Sequence, residues 1–287
     1  MTRITTLSLL VAIMLLTSFS SGPNVARAEQ VDNSPAKAES SRSNEGFVPL
    51  FDGETFKGWY AADMSWWSIA DGAITGTITK QKPCRKNKYI FYEPHKPSDA
   101  GLPLYDAKGQ MFNFELKLTH RILSPSGVNG GFQYRSEHYQ DGDCKGYQID
   151  NNTKTPWLAR MYDEFGRHTL AWRGERTRYD EAGKRHVTKI DTVPEKAHFA
   201  LDQWHEYHLL CRGTRMTLYI DGQLVGEVFD EQPSAADLSG LFAPQLHSGP
   251  PMVVQFKKIL YKPLPASKAA PATRPKPVKS AEVAPVP

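Results

Sequence analysis

Met216-Thr217-Leu218-Tyr219-Ile220-Asp221-Gly222-Gln223-Leu224-Val225-Gly226-Glu227-Val228 is the stretch that decides the fold. Two short apolar-rich runs are joined by Asp221-Gly222, a pair that tolerates the positive φ angles a type I′ turn requires. It reads as a two-residue β-hairpin. Working outward, Trp66–Ile69 and Ala73–Gly76 flank a second such pair, Asp71-Gly72, and predict a second hairpin. From Phe112 to Leu123 the residues alternate, with Phe112, Phe114, Leu116 and Leu118 on one side and Asn113, Glu115, Lys117 and Thr119 on the other. That is the period of a half-buried strand. Further strands are predicted at Val128–Arg135, Tyr147–Asp150, Arg160–Asp163, His205–Arg212 and Val253–Tyr261. No long amphipathic helix and no internal repeat interrupts them; Ser234–Leu238 is expected to make a single helical turn. Many short strands between regular turn signals predict an all-β sandwich or jelly roll.

The two ends read differently. Arg3, the apolar run Leu7–Leu16 and the Ala26-Arg27-Ala28 pattern predict a secretory signal over residues 1–28, cut after Ala28. The run of about 10–13 residues is short of the roughly 20 a spanning helix needs, so no membrane span is expected. Residues 29–45 are polar and predict a linker; residues 263–287, rich in Pro, Ala and Lys, predict a disordered tail. One domain over 46–262 remains, in a protein expected to be exported to the periplasm or beyond.

The formal charge of +4 overstates the folded part. Arg3 and Arg27 belong to the leader, and Lys268, Arg274, Lys276 and Lys279 face only Glu282 in the tail. A nearly neutral core lacks the concentrated basic face that nucleic acid needs. Three cysteines are an odd number for an exported chain. Cys211 falls in an apolar strand; if any pair forms, Cys84 with Cys144 is the one expected. No Cys–His spacing reads as a zinc site, no cofactor motif is present, and nothing in the sequence supports a structural calcium.

Several segments, taken in order, resemble the 3-keto-disaccharide hydrolase domain family. They are Gly46–Gly53 with Gly58-Trp59, then Phe114–Leu118, Asn129–Arg135, Gly146-Tyr147-Gln148-Ile149-Asp150 and Met161-Tyr162-Asp163-Glu164-Phe165-Gly166-Arg167. Trp204–Tyr207, Tyr219–Gly222, Pro244–Gly249 and Val254–Ile259 follow. The likeness covers residues 46–262. It implies a concanavalin A-like, LamG-like jelly-roll β-sandwich, and a glycoside substrate whose sugar carries a ketone at C3. Asn151–Pro156 and the long charged segment Trp172–Phe199 depart from the family pattern.

Such chemistry needs a base near C2, donors for an enolate oxygen and an acid near the leaving oxygen. Gln148 and Asp150 share strand parity, as do Gln245 and His247, while Asp163 and Glu164 must face opposite ways. The candidate catalytic residues are Asp150 or Glu164 as base and His247 as acid. Arg135, Gln148, Asp163, Arg167 and Gln245 are the candidate orienting set, and Trp157 and Trp172 the candidate cleft walls. Each has a plainer reading. The acids and arginines suit structural ion pairs, the glutamines suit backbone at strand ends, and the tryptophans suit the core. His205 and His208 sit at an odd spacing, which sends them to opposite faces of a strand and excludes them as a metal pair. The expected partner is a carbohydrate or glycoside. A non-catalytic, lectin-like module is the rival reading, and a conventional glycosidase the third.

Overall fold

The computed structural model describes residues 44–93, 110–124, 127–152, 158–191 and 199–265. The expected leader, most of the linker, most of the tail and Trp157 lie outside the described residues. The described residues from Gly46 onward form one compact unit. Its strands begin with β1 (Val48–Pro49), β2 (Trp59–Tyr60), β3 (Trp67–Ala70), β4 (Ala73–Ile78), β5 (Lys88–Tyr89) and β6 (Phe91–Tyr92). Longer strands follow: β7 (Phe114–Leu123), β8 (Asn129–His138), β9 (Cys144–Asn152), β10 (Arg160–Glu164), β11 (His168–Ala171) and β12 (Glu175–Tyr179). The last are β13 (Arg185–Lys189), β14 (His205–Arg212), β15 (Arg215–Ile220), β16 (Gln223–Asp230), β17 (Leu241–Leu246) and β18 (Met252–Pro263). Among the described residues there is no α-helix, and the expected helical turn at Ser234–Leu238 is a hydrogen-bonded turn from the Gln232 carbonyl.

Two sheets make the sandwich. The larger runs β13-β12-β16-β15-β14-β7-β18-β4-β3, with β1 also on β18; the smaller runs β11-β10-β9-β8-β17-β5. This is a jelly-roll β-sandwich of the concanavalin A-like kind. Both Asp-Gly hairpins form: Asp221 and Gly222 have φ of 49° and 76°, Asp71 and Gly72 of 54° and 66°. β7 alternates buried and half-buried along its whole length. Its buried row continues past Leu118 to His120, which stacks on Phe256 at 4.2 Å and is held near pKa 4 by burial, hence neutral.

The core lies between the sheets, where Phe132 and Tyr134 of β8 meet Tyr207 and Met216 of the larger sheet. All three cysteines are free and buried, so the Cys84–Cys144 pairing expected of two loops does not form. The Trp172–Phe199 segment contributes β12 and β13. β12 runs parallel to β16 and extends the larger sheet by two strands.

Candidate functional site

The face of the smaller sheet turned away from the core carries the polar residues, and most are covered: Tyr89, Gln133, Gln148, Asp150 and Gln245 are at most 3% exposed. Alternation in β9 sends Tyr147 and Ile149 into the core, so Gln148 and Asp150 emerge on the other side. Register then sets what stands beside them. One row across the sheet reads Tyr89, Gln245, Gly131, Asp150, Arg160; the next reads Ala243, Gln133, Gln148, Tyr162, Thr169. Glu164 stands one step further along β10, opposite Gly146.

These side chains are linked. Gln148 Nε2 donates to Gln245 Oε1 at 2.8 Å, and Gln245 Nε2 donates to the Tyr89 hydroxyl at 2.9 Å. The diagonal between the two glutamines passes Gly131, which has no side chain to obstruct it. Arg160 Nε donates to Asp150 Oδ2 at 3.0 Å, with a second bond from its terminal nitrogen, and Arg160 Nη1 reaches Thr169 at 3.1 Å. The guanidinium lies over Tyr162 at 4.2 Å and near Trp172 at 5.5 Å. Gln133 Nε2 is buried and, among the described residues, lacks a hydrogen-bond partner, while the Asn129 side chain supports the Asp150 carboxylate.

The electrostatics separate the two acids. Burial raises the Asp150 carboxyl, against the pull of Arg160 and, more weakly, His247. Among the described residues no cation is bonded to Glu164; burial, then Asp143 and Asp150, push it up to about 7 against the pull of Arg160. Burial, Cys144 and Glu164 lift the Tyr89 phenol well above its ordinary value, so it stays a donor. His247 Nδ1 lies 2.6 Å from the Ser248 carbonyl, a contact suited to a proton on that nitrogen.

Three residues expected in the site are elsewhere. Asp163 points inward: its Oδ2 accepts from the Arg167 backbone at 3.0 Å and from Arg167 Nε at 3.2 Å. Arg167 also binds Asp230, through Nη1 at 2.8 Å and Nη2, and Asp230 accepts from the Tyr147 hydroxyl. The cause is alternation, since Asp163 and Glu164 leave β10 on opposite sides. Arg135 sits at a bulge where β8 slips against β9, with φ of 49°, and its guanidinium donates to the carbonyls of Phe112 and Gly213. The slip undoes the parity that would have aimed it at the polar face.

The sequence reading missed Arg160, Tyr89, Gln133, Tyr139 and Phe165. Arg160 faces Asp150 only because β9 and β10 pair, and Tyr89 lies on a two-residue strand with no period to read. Phe165 did leave a signal, an aromatic at the tip of the turn Glu164-Phe165-Gly166-Arg167. A cleft of about 330 Å³ borders the face there, lined by Lys86, Asn87, Tyr139, Asp143, Phe165 and Ser248 among others.

The fold is thus a jelly roll with a linked set of acids, amides and an arginine on one face of its smaller sheet, and the family model it matches is that of a carbohydrate-active domain. The chain belongs to the 3-keto-alpha-glucoside-1,2-lyase-like domain family, whose model matches residues 46–262. No curated protein matches it. Among solved structures it is similar to a carbohydrate-binding module from Bacillus subtilis, at 15% identity and TM-score 0.45, covering 72% of this chain and 96% of that one. A Clostridium perfringens endo-β-galactosidase that releases GlcNAcα1-4Gal gives 12%, 0.47, 78% and 65%. A Bacillus licheniformis β-glucanase gives 11%, 0.40, 75% and 96%.

Proposed function

We propose that the protein is an exported hydrolase of 3-keto-glycosides, acting by removal of the C2 proton, expulsion of the C1 oxygen and addition of water. One observation carries the reading: Glu164, poised at about 7, shares a sheet face with the Asp150–Arg160 pair and the Gln148–Gln245–Tyr89 chain. A ketone at C3 acidifies C2–H, because the electron pair left behind spreads onto the ketone oxygen. Glu164 as carboxylate takes that proton, and a base near neutrality combines availability with strength at pH 7. The positive charge of Arg160 stabilises the enolate oxygen.

Collapse of the enolate restores the C3 carbonyl, forms C1=C2 and breaks the C1–O bond. His247 supplies the proton to the departing oxygen. Water then adds at C1 and a proton returns to C2, so the net change is hydrolysis. Gln148, Gln245 and Asp150 form the orienting set for the sugar. The leader-like first 28 residues support export.

Incubation with a 3-keto-disaccharide and with its unoxidised parent in deuterated water tests this. Release from the keto sugar alone, with deuterium at C2 of the product, is the expected result. Cleavage of the parent would replace the reading with conventional glycoside hydrolysis, and binding without product would leave a sugar-gripping module.

A further inference from the structure

Phe165 is 46% exposed, and few large apolar side chains of the described residues are as open. It is displayed rather than stranded. It has a φ of 57°, a conformation uncommon for a residue with a β-carbon. The turn that imposes it is fixed from below by Asp163, which accepts the Arg167 amide and guanidinium. The Gly166 position is so tight that an added Cβ would stand 2.2 Å from Asp163 Oδ1. The ring meets Tyr139 with centroids 4.6 Å apart and planes at 32°.

Tyr139 is itself set by a tight loop, its amide bonded to the Asp143 carbonyl at 2.9 Å and the Asp143 amide to the Gln140 carbonyl at 3.1 Å. Across the cleft the Ser248 amide donates to Asn87 Oδ1 at 2.9 Å, and Lys86 pairs with Asp141 at 2.8 Å. An apolar platform thus faces a wall of hydroxyl, amide and ionic groups, as a pyranose ring requires with its C–H face on one side and hydroxyls on its edge. The volume of about 330 Å³ lies at the small end of ligand pockets, commonly about 300–1,000 Å³. Asp141 and Asp143 against Lys86 disfavour an anionic sugar. Phe165 follows Glu164 directly, which puts the cleft at the end of the polar face.

We propose that this cleft is a binding subsite for a neutral hexopyranosyl leaving group, with the Phe165–Tyr139 pair as its stacking platform and Asn87, Asp143 and Ser248 as hydroxyl partners. The assignment rests on the hydrolase reading for its place beside the scissile bond. It makes the preferred substrate a disaccharide rather than a simple alkyl glycoside, and makes Asp163 and Arg167 positioning residues for the platform.

The test uses the full chain with two kinds of probe. Saturation-transfer NMR with unoxidised maltose reads the cleft without turnover; the signal is expected in the parent protein, lost in Phe165→Ala and restored in Phe165→Trp. The ratio of kcat/KM for a 3-keto-disaccharide to that for methyl 3-keto-glucoside is expected to fall at least tenfold in Phe165→Ala. Loss of the maltose signal in Phe165→Ala, when no keto sugar is turned over by any variant, would keep the subsite and remove the reaction. Turnover of both keto sugars with the ratio and the maltose signal unchanged in Phe165→Ala would overturn the subsite and leave the reaction standing.

Discussion

Asp163 and Glu164 are one peptide bond apart and live in different media. Asp163 enters the interior, where Arg167 meets it, while Glu164 leaves on the opposite side, half-buried, with no cation bonded to it among the described residues, and sits near 7. Its raised value means the folded state keeps a proton that the unfolded chain has released. Stability contributed by this group is therefore whole below about 4.5, is lost as pH rises toward 7, and is flat above that. Glu164→Gln should remove the penalty, raising stability at pH 8 by on the order of 1 kcal/mol after allowance for solvent screening, with no gain at pH 4. Denaturant midpoints at the two pH values check this. The same substitution should lower keto-sugar turnover by at least a hundredfold, and turnover of the parent protein should climb through pH 7 as the base ionises; a pH–rate profile reads both. Asp150→Asn should cost about tenfold to a hundredfold in turnover while maltose binding persists, since the carboxylate orients Arg160. The family-like motifs singled out Gln148, Asp150, Asp163 and Glu164 in the sequence, and parity told which of them share a face. Arg160 and Tyr89 were not legible there, because their place depends on which strands pair, and pairing partners are far apart in the chain.

At the level of the element, the β10–β11 turn is held by a cluster rather than by its own propensity. Asp230 at the end of β16 is 1% exposed and receives Arg167 and the Tyr147 hydroxyl together. Asp230→Asn would leave Arg167 short of a counter-charge, and breaking a buried pair from one side costs about 3–5 kcal/mol. A loss of about 3 kcal/mol in a denaturant titration is expected, with weakened maltose binding as the Phe165 platform loosens. In β8, a Cβ at Gly131 would stand 2.0 Å from the Ile149 carbonyl oxygen. Gly131→Ala should cost about 2–4 kcal/mol by forcing β8 and β9 apart. Both Asp-Gly hairpins were readable from local sequence because a two-residue turn dictates its own residues. The bulge at Arg135 was not, since the slip between β8 and β9 belongs to the pair of strands and to neither alone.

Across the whole molecule the core is large enough to stand without covalent cross-links. Cys84, Cys144 and Cys211 are at most 5% exposed, and burial lifts all three thiols above their ordinary value. A thiol reagent should therefore label none of them in the native protein and all three in guanidinium chloride, and a reductant should leave the melting temperature unchanged; a colorimetric thiol count and a thermal scan check both. The class of fold was legible because alternation and turn residues recur along the chain. The order of strands was not: β12 joins β16 in parallel across some fifty residues. That joining leaves β13 at one margin of the larger sheet, with Arg185, His186, Val187, Thr188 and Lys189 all turned to solvent. Among the described residues no strand pairs with the outer edge of β13, and such a margin of backbone donors and acceptors invites another chain to dock. It is fringed with long polar side chains, Arg185 and Lys189 reaching Glu175 and His186 reaching Asp180, which an incoming strand would have to desolvate. Replacing Arg185 and Lys189 with apolar residues would strip that fringe, and light scattering on a concentrated solution would then record slow growth of fibrous material.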